Sequence, residues 1–130
     1  MAQALPDLVR DLLDTTTFVV LTTVNPDGGP QSSVIWVKRE GDVIVFSTIL
    51  GRRKTRNMQR DPRMSICAYD PADPYRYFEA RGRVSMTTEG GPELIQELSQ
   101  KYDGKPFREG RPDNVRVVCR MAPERVIVRG

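Results

Sequence analysis

Histidine is absent from the 130 residues. With it go the Ser-His-Asp and Cys-His nucleophiles, histidine-bound zinc or iron, and an imidazole proton shuttle. Cysteine is scarce: Cys67 and Cys119 lie in separate apolar stretches far from any CxxC spacing, which argues for two buried thiols and against a metal or redox pair. No apolar run approaches the ~20 residues of a membrane-spanning helix. Aromatics are only 7% of the chain, too few for a nucleic-acid-binding barrel face that interleaves bases with stacking rings. The start, MAQALPDLVRDLLD, lacks the basic, apolar and small-residue segments of a signal peptide, so a cytoplasmic location away from membranes is expected. Asp70 and Asp73 each precede proline, so together with Glu79 they read as turn chemistry and no metal site is expected.

What is present is 38% hydrophobic and 28% charged, the composition of one globular domain over residues 1–130. Leu5, Leu8, Val9 and Leu12 share one face of a helix over 5–13. Strands are expected at 17–24, 31–38 and 43–48, joined by the turns NPDGG and REGD into a three-stranded meander. A short helix over 53–60 stops at Asp61-Pro62. Strands at 63–69 and 75–88 follow, the second alternating strictly from Phe78 to Met86, then a helix over 93–102. Residues 103–114 form a loop, a lid or a plain connector, and two closing strands, 115–121 and 125–128, are broken at Ala122-Pro123. Six or seven antiparallel strands on so short a chain are expected to close into a barrel that abolishes its edges.

The net charge of +3 is mild, but its distribution is not. No acidic residue falls between Val43 and Arg60, while Arg52, Arg53, Lys54, Arg56 and Arg60 do. A helix built for solubility mixes signs to gain i,i+4 pairs, whereas this one stacks like charges at a cost. The segment also lies between a strand end and a helix start, where free N–H groups and the helix dipole favour a phosphate. Arg53 and Asn57, four apart, share a helix face, and Lys54 adds a point charge.

The run FSTILGRRKTRNMQRDPRMSI, preceded by NPDGGPQSSVIWV and followed by KYDGKPFREGRPDNVRVVCRMAPERV, resembles the pyridoxamine 5'-phosphate oxidase-like flavoproteins, over nearly the whole chain. Within them it is most similar to the actinobacterial branch that binds the deazaflavin coenzyme F-420. The resemblance implies a mainly β fold with short helices, a split β-barrel of six antiparallel Greek-key strands, and a homodimer with two cofactor sites at its interface. It implies that the tricycle lies against the strand holding Gln31, Ser33, Val34, Ile35 and Trp36, that Ser47 and Thr48 reach the ribityl chain, and that Arg53 and Lys54 hold the phosphate. Arg52 and Asn57 match neighbours that touch the phosphate or tail, and Tyr75 or Tyr77 would close the partner's site. The C-terminal Arg-x-His signature of true pyridoxamine phosphate oxidases is missing, which argues against vitamin B6 oxidation.

F-420 carries a phosphate and a polyglutamate tail, and five cations exceed the need of one FMN phosphate. The expected reaction is hydride transfer from reduced F-420 to an electron-poor alkene, quinone-like ring or tetrapyrrole, with the protein supplying orientation and a proton from solvent or a tyrosine. No catalytic side chain is assigned. FMN in place of F-420, or binding without turnover, are the alternatives. Trp36 fits either ring stacking or a core or dimer contact.

Overall fold

The computed structural model describes residues 3–130. Three helices and seven strands follow in the order α1 (Asp7–Asp14), β1 (Val19–Val24), β2 (Pro30–Ile35), β3 (Lys38–Glu40), β4 (Val43–Ile49), α2 (Arg53–Arg60), β5 (Arg63–Asp70), β6 (Asp73–Thr87), α3 (Gly91–Asp103) and β7 (Arg116–Arg129). Every pairing is antiparallel, in the sheet order β2-β1-β5-β6-β7-β4-β3. β2 and β3 therefore stand at opposite edges, yet only Trp36 and Val37 separate them in the chain. Three peptide steps span at most ~11 Å, so the sheet must coil until its edges nearly meet. The seam carries no strand pairing, which makes this a seven-stranded split barrel rather than a closed six-stranded one.

Two sequence expectations are corrected at this seam. Residues 31–38 are not one strand, and β3 pairs with β4 instead of continuing the β1–β2 hairpin, so no three-stranded meander forms. The apolar pattern hides the crossing because Ile35 and Val37 on either side of Trp36 are both buried. At the other end, the two closing strands are one, β7. Gly82 pairs with Pro123 and Arg81 with Arg125, so Glu124 is an extra residue that absorbs the proline as a bulge.

The main core fills the barrel interior, around Leu21, Phe46, Ile66, Phe78 and Met121. α1 closes one end, burying Val9, Leu12 and Leu13 at roughly 1.5–3 kcal/mol each. A smaller core forms where Leu94 and Leu98 of α3 pack on Val45 and Val118, with Trp36 against it. α3 approaches β7 so closely that a Cβ on Gly91 would lie 2.3 Å from the Arg116 carbonyl oxygen. Gly91→Ala is expected to destabilise the fold by about 1–3 kcal/mol in urea titration, because backbone must move.

The cysteines divide, which corrects the expectation that both are buried. Ile66 and Ala68 face the core, so Cys67 between them faces out, exposed. Cys119 is buried, and burial pushes its thiol up to about 12. No helix among the described residues is long and apolar enough to cross a membrane.

Candidate functional site

β4 ends at Ile49, and Gly51, at a φ of +95°, turns the chain into α2 through a backbone region that side chains rarely adopt. The helix starts without a cap: Arg52 at the N-cap is extended, no side chain bonds the first turn, and no acid lies in it. α1 and α3 carry Asp7 and Glu93 there. Among the described residues, none of Arg52, Arg53, Lys54, Arg56 and Arg60 has a carboxylate within 4.0 Å, whereas ten of the chain's fifteen other basic residues do. Among the described residues the five-cation run therefore makes no direct ion pair with a carboxylate.

α2 opens onto a cleft of about 280 Å³ that brings β2, at one edge of the split sheet, together with residues of β4 and β7 near the other edge. Phe18, Val34, Ile35, Trp36, Ile95, Leu98 and Phe107 supply apolar and aromatic wall; Ser47, Arg52, Lys54 and Arg116 supply polar and cationic groups. Trp36 stacks on Tyr102 (5.4 Å between centroids, 10° between planes) and meets Phe107 edge-on at 6.4 Å. Its ring is thereby clamped within the wall. A second cleft of about 570 Å³ shares Arg52, Phe107 and Arg116 with the first and runs on between Ile49–Arg52 and the loop after α3, lined by Glu109, Arg111 and Asn114.

Lys54 is half-buried, and the ammonium donates to the Ser33 hydroxyl at 3.3 Å. Burial, then the charge of Arg52 and to a lesser degree that of Arg116, push its pKa below the ordinary lysine value, partly opposed by Cys119. A desolvated ammonium crowded by two guanidinium groups is the electrostatic signature of a place that lacks an anion. A phosphate there would meet Lys54, Arg52 and the uncapped α2 N-terminus, while a flat ring system would meet Val34, Ile35 and the Trp36 edge. The residues present thus fit a phosphate-bearing aromatic cofactor.

Of the residues singled out in the sequence, Val34, Ile35, Trp36, Ser47, Arg52 and Lys54 come together in this cleft, and Ser33 touches it through Lys54. Others do not line it. Thr48 is fully buried, bonded to the Thr55 hydroxyl at 2.8 Å. Asn57 is also fully buried, and its amide donates to Thr23 Oγ1 and Asn25 Oδ1, each at 3.0 Å, tying α2 to the β1–β2 hairpin instead of facing a ligand. Gln31 accepts from the Thr23 hydroxyl at 2.7 Å. Arg53 is exposed and lines neither cleft, and Tyr77 sits on β6 opposite Tyr69 and Arg129, on the sheet's outer surface. The loop after α3 is pinned, since Gln96 exchanges two 2.9 Å hydrogen bonds with the Phe107 backbone.

Sequence reasoning missed Phe18, Tyr102, Phe107 and Arg116. Phe18 precedes β1, Tyr102 lies in the last turn of α3, Phe107 is in the loop after it and Arg116 opens β7, so only the fold brings them to Trp36 and Lys54. Tyr102 is not aimed into the cleft by its hydroxyl, which donates to the Thr17 carbonyl at 2.7 Å and accepts from the Val37 amide at 3.2 Å.

A family model described as pyridoxamine 5'-phosphate oxidase matches residues 5–130. Among solved structures, the chain is similar to an F-420 reductase at 31% identity and a TM-score of 0.84, over 95% of this chain and 98% of that one. It is similar to a conserved hypothetical protein from Mycobacterium tuberculosis at 21% identity and a TM-score of 0.77, over 98% and 86%. The General Stress Protein 26 of Bacillus anthracis matches at 18% identity and a TM-score of 0.72, over 95% and 92%. The last two likenesses establish the fold.

Proposed function

The chain belongs to the pyridoxamine 5'-phosphate oxidase family, and from that premise we propose that it is an oxidoreductase that uses coenzyme F-420. The observation that carries this reading is one cleft in which an unpaired Arg52 and a desolvated Lys54 face an aromatic wall. The likeness to an F-420 reductase supports it. Lys54 and Arg52 would hold the phosphate, Val34, Ile35 and Trp36 the tricycle, Ser47 the ribityl hydroxyls, and Arg111 beside the second cleft the carboxylate tail. When bound and reduced, the deazaflavin supplies a hydride to an electron-poor small molecule such as an enone, a quinone-like ring or a tetrapyrrole. The protein's part is to orient and to exclude water from one ring face. With the Tyr102 hydroxyl held by the backbone, solvent at the open mouth is the proton source.

The test uses the chain's single tryptophan, which stands in the cleft. Quenching of Trp36 fluorescence is expected to saturate at low F-420 and only at much higher FMN. Tight FMN and weak F-420 would move the protein to the flavin-dependent branch, and no quenching by either would overturn the reading. Oxidation of reduced F-420 by an enone or quinone separates an enzyme from a protein that only binds.

We further propose a homodimer that completes the site. Strand register sets Val34, Val20, Cys67, Glu79 and Ile127 in one row across the outer face, and Phe18 and Tyr69 are exposed nearby at 58% and 57%. Such a surface is apolar enough to be covered, and Val34 belongs to both it and the cleft. A second copy there would bring Tyr75 or Tyr77 towards its partner's site. Alkylation of Cys67 is expected to slow as protein concentration rises through the dimer transition, while Cys119 stays unreactive. A Cys67 rate independent of concentration, with monomers in sedimentation, would overturn the proposal.

A further inference from the structure

Glu109 carries the chain's own carboxylate into the cation cluster. Its Oε2 accepts from Arg116 Nε at 2.6 Å, and its Oε1 accepts from Arg116 Nη2 at 3.1 Å and from the Asn114 amide at 3.0 Å. A guanidinium fork plus one amide is the donor set that takes a carboxylate or a phosphate bidentately. The fork does not depend on Glu109 for its place. Arg116 stands 4.8 Å over the Phe107 ring, donates to Ser47 Oγ at 3.4 Å, and its backbone packs closely against Gly91. Its side chain is only 9% exposed, so its charge is not relieved by water.

We propose that Glu109 is the resident occupant of a second anion subsite, formed by Arg116 and Asn114 where the two clefts join, and that it sets how many anionic groups the joined cleft accepts. The ligand class is a carboxylate or phosphate group. In the native chain the first group enters at Lys54 and Arg52, while the second position stays filled by Glu109, ionised at neutral pH because Arg116, then Asn114 and Arg52, hold its carboxyl below the usual range. Neutralising the occupant leaves a guanidinium shielded from solvent and without a counter-ion, so that an exogenous anion displaces the uncharged side chain to satisfy it. The subsite rests on the reading of the cleft as anion-binding, but not on which cofactor binds there.

Calorimetric titration with inorganic phosphate at low ionic strength tests it. The native protein is expected to take one phosphate and Glu109→Gln two, the added one bound at least ~10-fold more tightly than any second phosphate on the native chain. That added equivalent should vanish in Glu109→Gln with Arg116→Gln and persist in Glu109→Gln with Lys54→Ala. Phosphate should also raise the Tm of Glu109→Gln by more than it raises the native Tm. Equal stoichiometry, affinity and phosphate-dependent Tm in the native protein and Glu109→Gln would overturn the proposal. If the native chain binds no phosphate while Glu109→Gln binds one that Arg116→Gln abolishes, the subsite stands and the cofactor reading falls.

Discussion

Replacing Lys54 by alanine is expected to weaken both F-420 and inorganic phosphate by about 10–150-fold, the loss of one charge-assisted contact worth roughly 1.5–3 kcal/mol. Stability should not fall with it. The ammonium is half-buried beside Arg52 and Arg116 and has no carboxylate partner among the described residues, so the folded protein disfavours its charged form. The sign of the pH dependence follows. Between the lowered folded pKa and the unfolded value near 10.5, the unfolded chain binds more protons than the folded one, so this group makes stability rise with pH across that window. Anion affinity moves the opposite way, being lost as Lys54 deprotonates earlier than an ordinary lysine. In Lys54→Ala the contribution of this group to both slopes should be missing, a difference from the native protein that urea titration and calorimetry across alkaline pH would measure. A variant that binds like the native protein would remove the phosphate clamp from the functional case.

Much of this site could be read in the sequence because its cationic part is local. Gly51, the run RRKTRN and Asp61-Pro62 bound α2 to the residue, since a turn that needs positive φ and a proline stop act within a few positions. Charge without counter-charge was legible for the same reason. What could not be read is whatever depends on the seam. Ile35-Trp36-Val37 continues an alternating pattern, and nothing local says that the chain there leaves one edge of the sheet for the other. That crossing puts Trp36 against Tyr102 and Phe107, more than sixty residues away, and opens the cleft at the split. Arg116 is the same case. It reads as an unremarked charge at a strand start, and gains its meaning only from the pairing of β4 with β7, which sets it opposite Ile49 and within reach of Ser47.

Asn57 is where the local reading and the folded arrangement make opposite predictions. Placed on the helix face of Arg53, it suggests a direct contact to a phosphate, in which case Asn57→Ala would lower affinity and leave the fold intact. In the structure it has no accessible surface, its amide serves Thr23 and Asn25, and its Oδ1 accepts from Arg60 at 3.4 Å. Deleting it orphans groups inside the protein and loosens α2 from the hairpin, so Asn57→Ala is expected to cost roughly 2–3 kcal/mol, or about 6–15 °C in Tm for a domain of this size. Affinity should change only through that loss of order, and cofactor should restore part of the Tm, because a ligand of the folded state stabilises it by mass action. Lys54→Ala and Asn57→Ala, three residues apart on one helix, should therefore separate cleanly, the first in calorimetry and the second in thermal melting. An Asn57→Ala protein with native Tm and poor binding would return the residue to the phosphate site and require α2 to turn when its ligand arrives.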